Sequence, residues 1–109
     1  MRTVAIVGVG LIGGSFGRAL REAGFEGESL GVSSAGAIAA ALEHGAISRG
    51  ATLEEAASSS DLIYLAQPVD RILRTLEQLA PLAKPDCLIT DEGWARIADH
   101  RRWCGQLRR

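Results

Sequence analysis

Gly8-Val9-Gly10-Leu11-Ile12-Gly13 has the spacing G-x-G-x-x-G, and Gly14 adds a fourth glycine at once. A glycine inside a regular element costs roughly 0.5–1 kcal/mol relative to alanine, so a cluster this dense needs a task that only bare backbone can perform. The chemistry that fits is anion binding. A tight turn at Gly8, close approach of backbone to a pyrophosphate at Gly10, and close helix–strand packing at Gly13 are the demands of a dinucleotide fingerprint. Leu11 and Ile12 would lie in the first turn of the following helix, where amides lacking an intrahelical acceptor can bind phosphate oxygens. The pattern carries this meaning only with a strand before it and a helix after it.

The end of the next strand should select the nucleotide. NAD-binding folds place Asp or Glu there, about 20 residues beyond the loop, to accept from the adenosine ribose hydroxyls. This chain has Gly31-Val32-Ser33-Ser34 and no acidic residue at that point. Ser33 and Ser34 can donate to a 2′-phosphate, which tilts the cofactor from NAD toward NADP. No arginine follows at the neighbouring positions, and ordinary turn serines are the competing reading. Other chemistry is sparse. Cys87 and Cys104 form no metal-ligand spacing and outline no disulfide framework, and Cys87 reads as a buried small hydrophobe. His44 and His100 match no catalytic motif, so no catalytic residue and no metal ligand is assigned.

The elements around these residues supply the required context. Thr3 to Val7 is a continuous apolar run of the kind found in a strand covered on both faces. Leu11, Ile12, Phe16, Ala19, Leu20 and Ala23 recur at helical spacing, and Gly24 stops the helix. Glu28 to Val32 reads as a second strand, Ala35 to His44 as a second helix closed by Gly45, and Ala46 to Ser48 as a weak third strand. Thr52-Leu53-Glu54-Glu55 has the spacing of a capping box and predicts a short helix to about Ala57. Asp61 to Ala66 is a strand ended by Gln67-Pro68. Asp70 is a candidate cap for a helix with Ile72, Leu73, Leu76 and Leu79 on one face, ended by Pro81. Asp86 to Thr90 is the last strand. Strands alternating with helices predict an α/β fold: a Rossmann-type doubly wound parallel sheet in a single three-layer domain.

Composition narrows the partners. Of 109 residues, 47% are hydrophobic and 23% charged, as in ordinary soluble domains, and a net charge of −1 offers no basic field for nucleic acid. The first apolar run is short and interrupted, so it reads as neither a membrane span nor a signal peptide. The expectation is a cytoplasmic protein with no nucleic-acid or membrane partner. Charge is uneven, however. Residues 1–93 carry seven basic and twelve acidic side chains, whereas residues 94–109 carry five arginines, one aspartate and both tryptophans. That break divides the chain into a nucleotide-binding domain, 1–93, and a basic tail, 94–109.

The stretches "VGVGLIGGSFGRALREAGF", "GAISRGAT", "DLIYLAQPV" and "LAPLAKPDCLITDEG" resemble the cofactor domain of prephenate and arogenate dehydrogenases over roughly residues 3–93. Those enzymes oxidatively decarboxylate a cyclohexadienol in tyrosine biosynthesis. The resemblance implies cofactor contacts at Gly8, Gly10, Leu11, Ile12 and Gly13, with Ser33 at the ribose. Ala66-Gln67-Pro68 matches the family's A-x-P turn beside the cofactor, and Asp91 and Gly93 match its T-D-x-G segment. Beyond Gly93 the likeness fails. Trp94 and Arg96 stand where the family has a serine and a lysine-like residue, and its catalytic histidine would fall past Arg109.

The resulting expectation is the nucleotide-binding domain of a prephenate dehydrogenase-like oxidoreductase, inactive alone for want of a substrate domain. Its cofactor is NADP or NAD, with prephenate or arogenate a partner only in a complete enzyme and a homodimer left open. Two alternatives stay open: a non-catalytic NAD(P)-binding module, and a fragment of another β-hydroxyacid-type dehydrogenase. Residues 94–109 are read as a tail without an evolved site, its tryptophans and Ile97 covering apolar surface.

Overall fold

The computed structural model describes residues 2–91. Gly93, Trp94, Arg96, His100, Cys104 and the whole segment 94–109 lie outside the described residues. Strand β1 (Thr3–Val7) is the centre of the sheet, and Val4, Ala5 and Ile6 are fully buried because both of its faces are covered. Helix α1 (Leu11–Glu22) returns the chain to β2 (Glu28–Val32), and α2 (Ala35–Glu43) leads on to the short edge strand β3 (Arg49–Gly50). Helix α3 (Leu53–Ser59) then crosses the sheet to β4 (Leu62–Leu65) on the far side of β1. Helix α4 (Val69–Leu79) and strand β5 (Leu88–Asp91) complete the order β3-β2-β1-β4-β5, with every pair parallel. The doubly wound parallel sheet predicted from the alternation of elements is the one observed.

Alternation along β1 divides the core in two. Ala5 and Val7 face a cluster with Ala56 and Ala57 of α3 and Ile72, Leu76 and Leu79 of α4. Ile6 faces the opposite cluster with Val9, Ala41 and Ile47, against which Phe16 of α1 and Ile38 of α2 pack. Three layers result. Phe16 also stacks on Tyr64 of β4, with ring centroids 4.0 Å apart and planes 7° apart.

Several local expectations need correction. The third strand is Arg49–Gly50, not Ala46 to Ser48. Ala46 and Ile47 are buried in the approach to it, the Ala46 amide closes onto the Ala41 carbonyl, and Ser48 and Ser29 exchange backbone-to-hydroxyl bonds before pairing begins at Leu30 and Arg49. Helix α3 is capped by Thr52, whose hydroxyl accepts from the Glu55 amide at 3.1 Å, but it runs on to Ser59. The cap of α4 is Pro68, not Asp70, which lies in the first turn where a carboxylate suits the helix dipole. Leu73 does not join the buried face of α4: it is 61% exposed, and Thr75 is buried instead. Strand β5 begins two residues late, at Leu88, with Cys87 buried at its entrance as expected.

The most informative correction concerns α1. Among its described residues the buried positions are Gly13 and Gly17, whereas Ala19 and the C-cap Ala23 are exposed. A Cβ on Gly17 would overlap the carbonyl of Ala46, so the helix lies on its neighbours by its backbone. A hydropathy stripe cannot register such contact.

Candidate functional site

The strand order reverses beside β1, so the chain leaves β1 toward β2 and later returns to β4 on its other side. In open parallel sheets the crevice at the carboxyl ends of such strands is where ligands bind. Two backbone bonds hold the crevice together. The Gly8 amide donates to the Val32 carbonyl and the Ala66 amide donates to the Val7 carbonyl, both at 2.8 Å. The glycine loop, the end of β2 and the turn after β4 are thereby one unit.

Each glycine of the loop has a different reason to be there. Gly8 has φ +90°, and a Cβ on it would strike the Ala66 carbonyl, so both conformation and space require glycine. A Cβ on Gly13 would strike the Gly8 carbonyl, which is the close helix–strand packing expected of the third glycine. Gly10 is the opposite case. It is the N-cap of α1 with φ −80°, and nothing lies within 4 Å of the Cβ it lacks. No packing contact among the described residues requires glycine at Gly10, and the space it leaves is open to a ligand. Leu11 and Ile12 form the first turn of α1. The Gly14 amide donates to the Gly10 carbonyl at 2.8 Å, so the amides before it precede the intrahelical ladder.

A cleft of about 520 Å³ continues from this loop toward α4. It gathers Gly8, Ser33, Ser34, Ala66, Gln67 and Pro68, six of the residues expected from sequence. Ser33 is exposed at its rim. Ser34 is the N-cap of α2, and its hydroxyl accepts from the Ala37 amide at 3.3 Å. It is therefore a structural cap as well as a lining residue. The Gln67 side chain is fixed, because Oε1 accepts from the buried Thr75 hydroxyl at 2.7 Å.

Of the five expected residues outside the lining, Leu11, Ile12 and Gly13 belong to the start of α1, and Asp91 and Gly10 lie elsewhere. Asp91 ends β5 beside Leu65, on the same end of the sheet but not in the lining of the cleft. Gly10 lines a separate groove of about 330 Å³ between α1 and α2, with Gly14, Ser15, Arg18 and His44. His44 is the exposed C-cap of α2.

Sequence reasoning missed three residues that α4 contributes to the cleft: Arg71, Thr75 and Gln78. They recur at i, i+4 and i+7, one face of a helix. No arginine follows β2 at the neighbouring positions of the chain, and the topology brings Arg71 into the same cleft from another element. Among the described residues, no helix is long and apolar enough to cross a membrane.

Comparison with known proteins agrees with this geometry. The family described as the prephenate dehydrogenase nucleotide-binding domain matches residues 16–102. That match begins after the glycine loop, so the two are separate observations. It also includes nine of the sixteen residues from 94 to 109. The prephenate dehydrogenase of Lactococcus lactis subsp. cremoris is 35% identical over 94 residues, covering 85% of this chain and 27% of the relative. Among solved structures, prephenate dehydrogenase from A. aeolicus in complex with hydroxyphenyl propionate and NAD+ superposes with a TM-score of 0.81 at 29% identity. The likeness covers 98% of this chain and 38% of that one. Synechocystis arogenate dehydrogenase gives a TM-score of 0.78 at 30% identity, over 96% of this chain and 37% of that one. The chain thus spans between a quarter and two fifths of these relatives.

Proposed function

Because the chain belongs to the prephenate dehydrogenase nucleotide-binding family, we propose that it binds NADP(H) or NAD(H) across the carboxyl ends of β1, β2 and β4. The observation that carries this reading is Gly10: an open position at a helix start, between two glycines that packing alone explains. The amides of Gly10 to Gly13 would hold the pyrophosphate, and the cleft lined by Ser33, Ser34, Gln67 and Pro68 would take the adenosine. The lack of an acidic residue at the end of β2 favours NADP(H).

The activity proposed for the complete protein is oxidative decarboxylation of prephenate or arogenate, a step of tyrosine biosynthesis in the cytoplasm. Bound nicotinamide supplies the hydride acceptor, and the part of this chain is to hold it in position. Positioning of two reactants is worth ~7–11 kcal/mol of barrier, and it requires groups that hold the substrate as well. The chain alone is therefore expected to bind nucleotide and not to turn over either substrate. The binding unit is taken as residues 1–93, so deletion of residues 95–109 should leave nucleotide affinity nearly unchanged and lower solubility or stability.

Titration of the purified chain with NADPH and NADH, beside an assay for nucleotide reduction with prephenate and arogenate, tests the reading. Saturable binding without turnover is expected. Absence of binding would overturn the cofactor assignment, and steady reduction would overturn the division of labour.

A further inference from the structure

We propose that Arg71, with the hydroxyls of Ser33 and Ser34, forms a subsite for the 2′-phosphate of NADP(H), and so sets the preference for the phosphorylated cofactor. This rests on the reading of the cleft as the adenosine end of a dinucleotide site.

The lining of the cleft carries the inference. Among the described residues it contains no acidic side chain and one cation, Arg71. A ribose with free hydroxyls is recognised by a carboxylate, which accepts from both of them and repels a phosphate. A phosphate dianion needs the reverse: donors and positive charge, with no carboxylate nearby. The cleft offers that set. Hydroxyls come from the end of β2 and a guanidinium from α4, two elements far apart in sequence and joined here by the fold.

Three further details make the arrangement usable. Ser34 is held by accepting from the Ala37 amide, and a hydroxyl that accepts one bond still has its proton to donate. It also stands at the start of α2, a nine-residue helix whose N-terminal dipole favours an anion at the same place. Arg71 is exposed, and no hydrogen bond or ion pair to a described residue holds its guanidinium. Its helix is fixed beside the cleft by the bond from Thr75 to Gln67, one turn further along the same face. The backbone that carries Arg71 is thus anchored while its charge is unspent.

Adenosine 2′,5′-bisphosphate and 5′-AMP separate the 2′-phosphate from the rest of the nucleotide. Calorimetric titration of the full chain should show the bisphosphate binding more tightly, with the steeper salt dependence. Arg71→Gln should reduce the ratio of the two affinities by about 10–100-fold, the size of one lost charge-assisted bond. Arg71→Lys should keep part of the ratio, and Ser33→Ala should lower it by a smaller factor. Since Arg71 is exposed, circular dichroism should show an unchanged fold in both arginine variants. An equal loss of both ligands in Arg71→Gln, as stacking on adenine would give, overturns the inference, and so does an unchanged ratio. Those outcomes leave the cofactor reading intact. Binding of none of 5′-AMP, the bisphosphate, NADH or NADPH would overturn that reading and this inference with it.

Discussion

At the amino-terminal ends of the strands, Asp61 accepts from the amides of Arg2 and Thr3 at 2.8 and 3.0 Å and from Lys84 Nζ at 2.6 Å. Beside it the Glu28 amide donates to the Arg2 carbonyl, and Ser29 and Ser48 bond each other through backbone and side chain. At the carboxyl-terminal ends the first amides of α1 have no intrahelical acceptor. The Ser33 hydroxyl and the Arg71 guanidinium likewise have no partner among the described residues. One end uses its polar groups to hold the sheet, while at the other these groups have no such partner among the described residues and are the ones proposed to meet the nucleotide. Substitutions at the base should therefore change stability, and substitutions at the rim should change nucleotide binding.

The strongest test of the base is Gly17→Val. The added side chain would overlap backbone of Ala46, which cannot rotate aside, so destabilisation at or above ~3 kcal/mol is expected from urea denaturation. A midpoint like that of the original chain would show that α1 does not lie on its backbone as described.

Asp61→Ala comes next. It removes a charged acceptor from two amides and an ammonium, a loss of about 1–3 kcal/mol near neutral pH. The effect should depend on pH. Lys84, and after it the amides of Arg2 and Thr3, hold the Asp61 carboxyl well below the usual carboxylate range. A carboxyl with a lowered folded-state pKa stabilises fully above its unfolded value, near pH 4, and loses that contribution as pH falls below it. The gap between the two proteins should shrink on acidification below about pH 4. A gap that is constant from neutral to acid pH would mean that the ion pair contributes nothing. Nucleotide affinity should be unaffected in the folded variant.

At the rim, Ser33→Asp should leave the denaturation midpoint in place and move the cofactor preference toward NAD(H) by about tenfold or more. A shift toward NADP(H), or none, would remove Ser33 from the ribose end. The smallest effect belongs to neither region. Leu73→Gln, on the exposed side of α4, should change stability by no more than ~0.5 kcal/mol, whereas burial of Leu73 would make it far more damaging.

How far the sequence could be read follows from the same physics. β1 and β2 were legible to the residue: β1 is an apolar run ended by Gly8, and β2 is a short stretch bounded by Gly27 and the serine pair Ser33-Ser34. The glycine loop was legible because its spacing encodes a local geometry. β3 was not: two residues at a sheet edge leave no pattern, and the buried Ala46 and Ile47 just before it resemble a strand more than Arg49–Gly50 does. The buried face of α1 was misread because Gly13 and Gly17 have no hydrophobicity to count. Arg71 was missed for a third reason. Its place in the same cleft as Ser33 depends on α4 following a strand on the far side of β1, and residue spacing carries no record of that.

Gly10→Val tests the central claim most directly. No heavy atom of the described residues lies within 4 Å of the absent Cβ and φ is negative, so a side chain has room there in the protein without ligand. Its stability should fall by no more than about 1 kcal/mol, the difference between glycine and valine at a helix N-cap. Affinity for both NADPH and NADH should fall about 100-fold or more, since the side chain fills the space where the pyrophosphate meets the amides. Retained stability with lost binding is the predicted result. Retained stability with unchanged affinity would contradict it, because the loop would then be a glycine-rich turn that binds nothing.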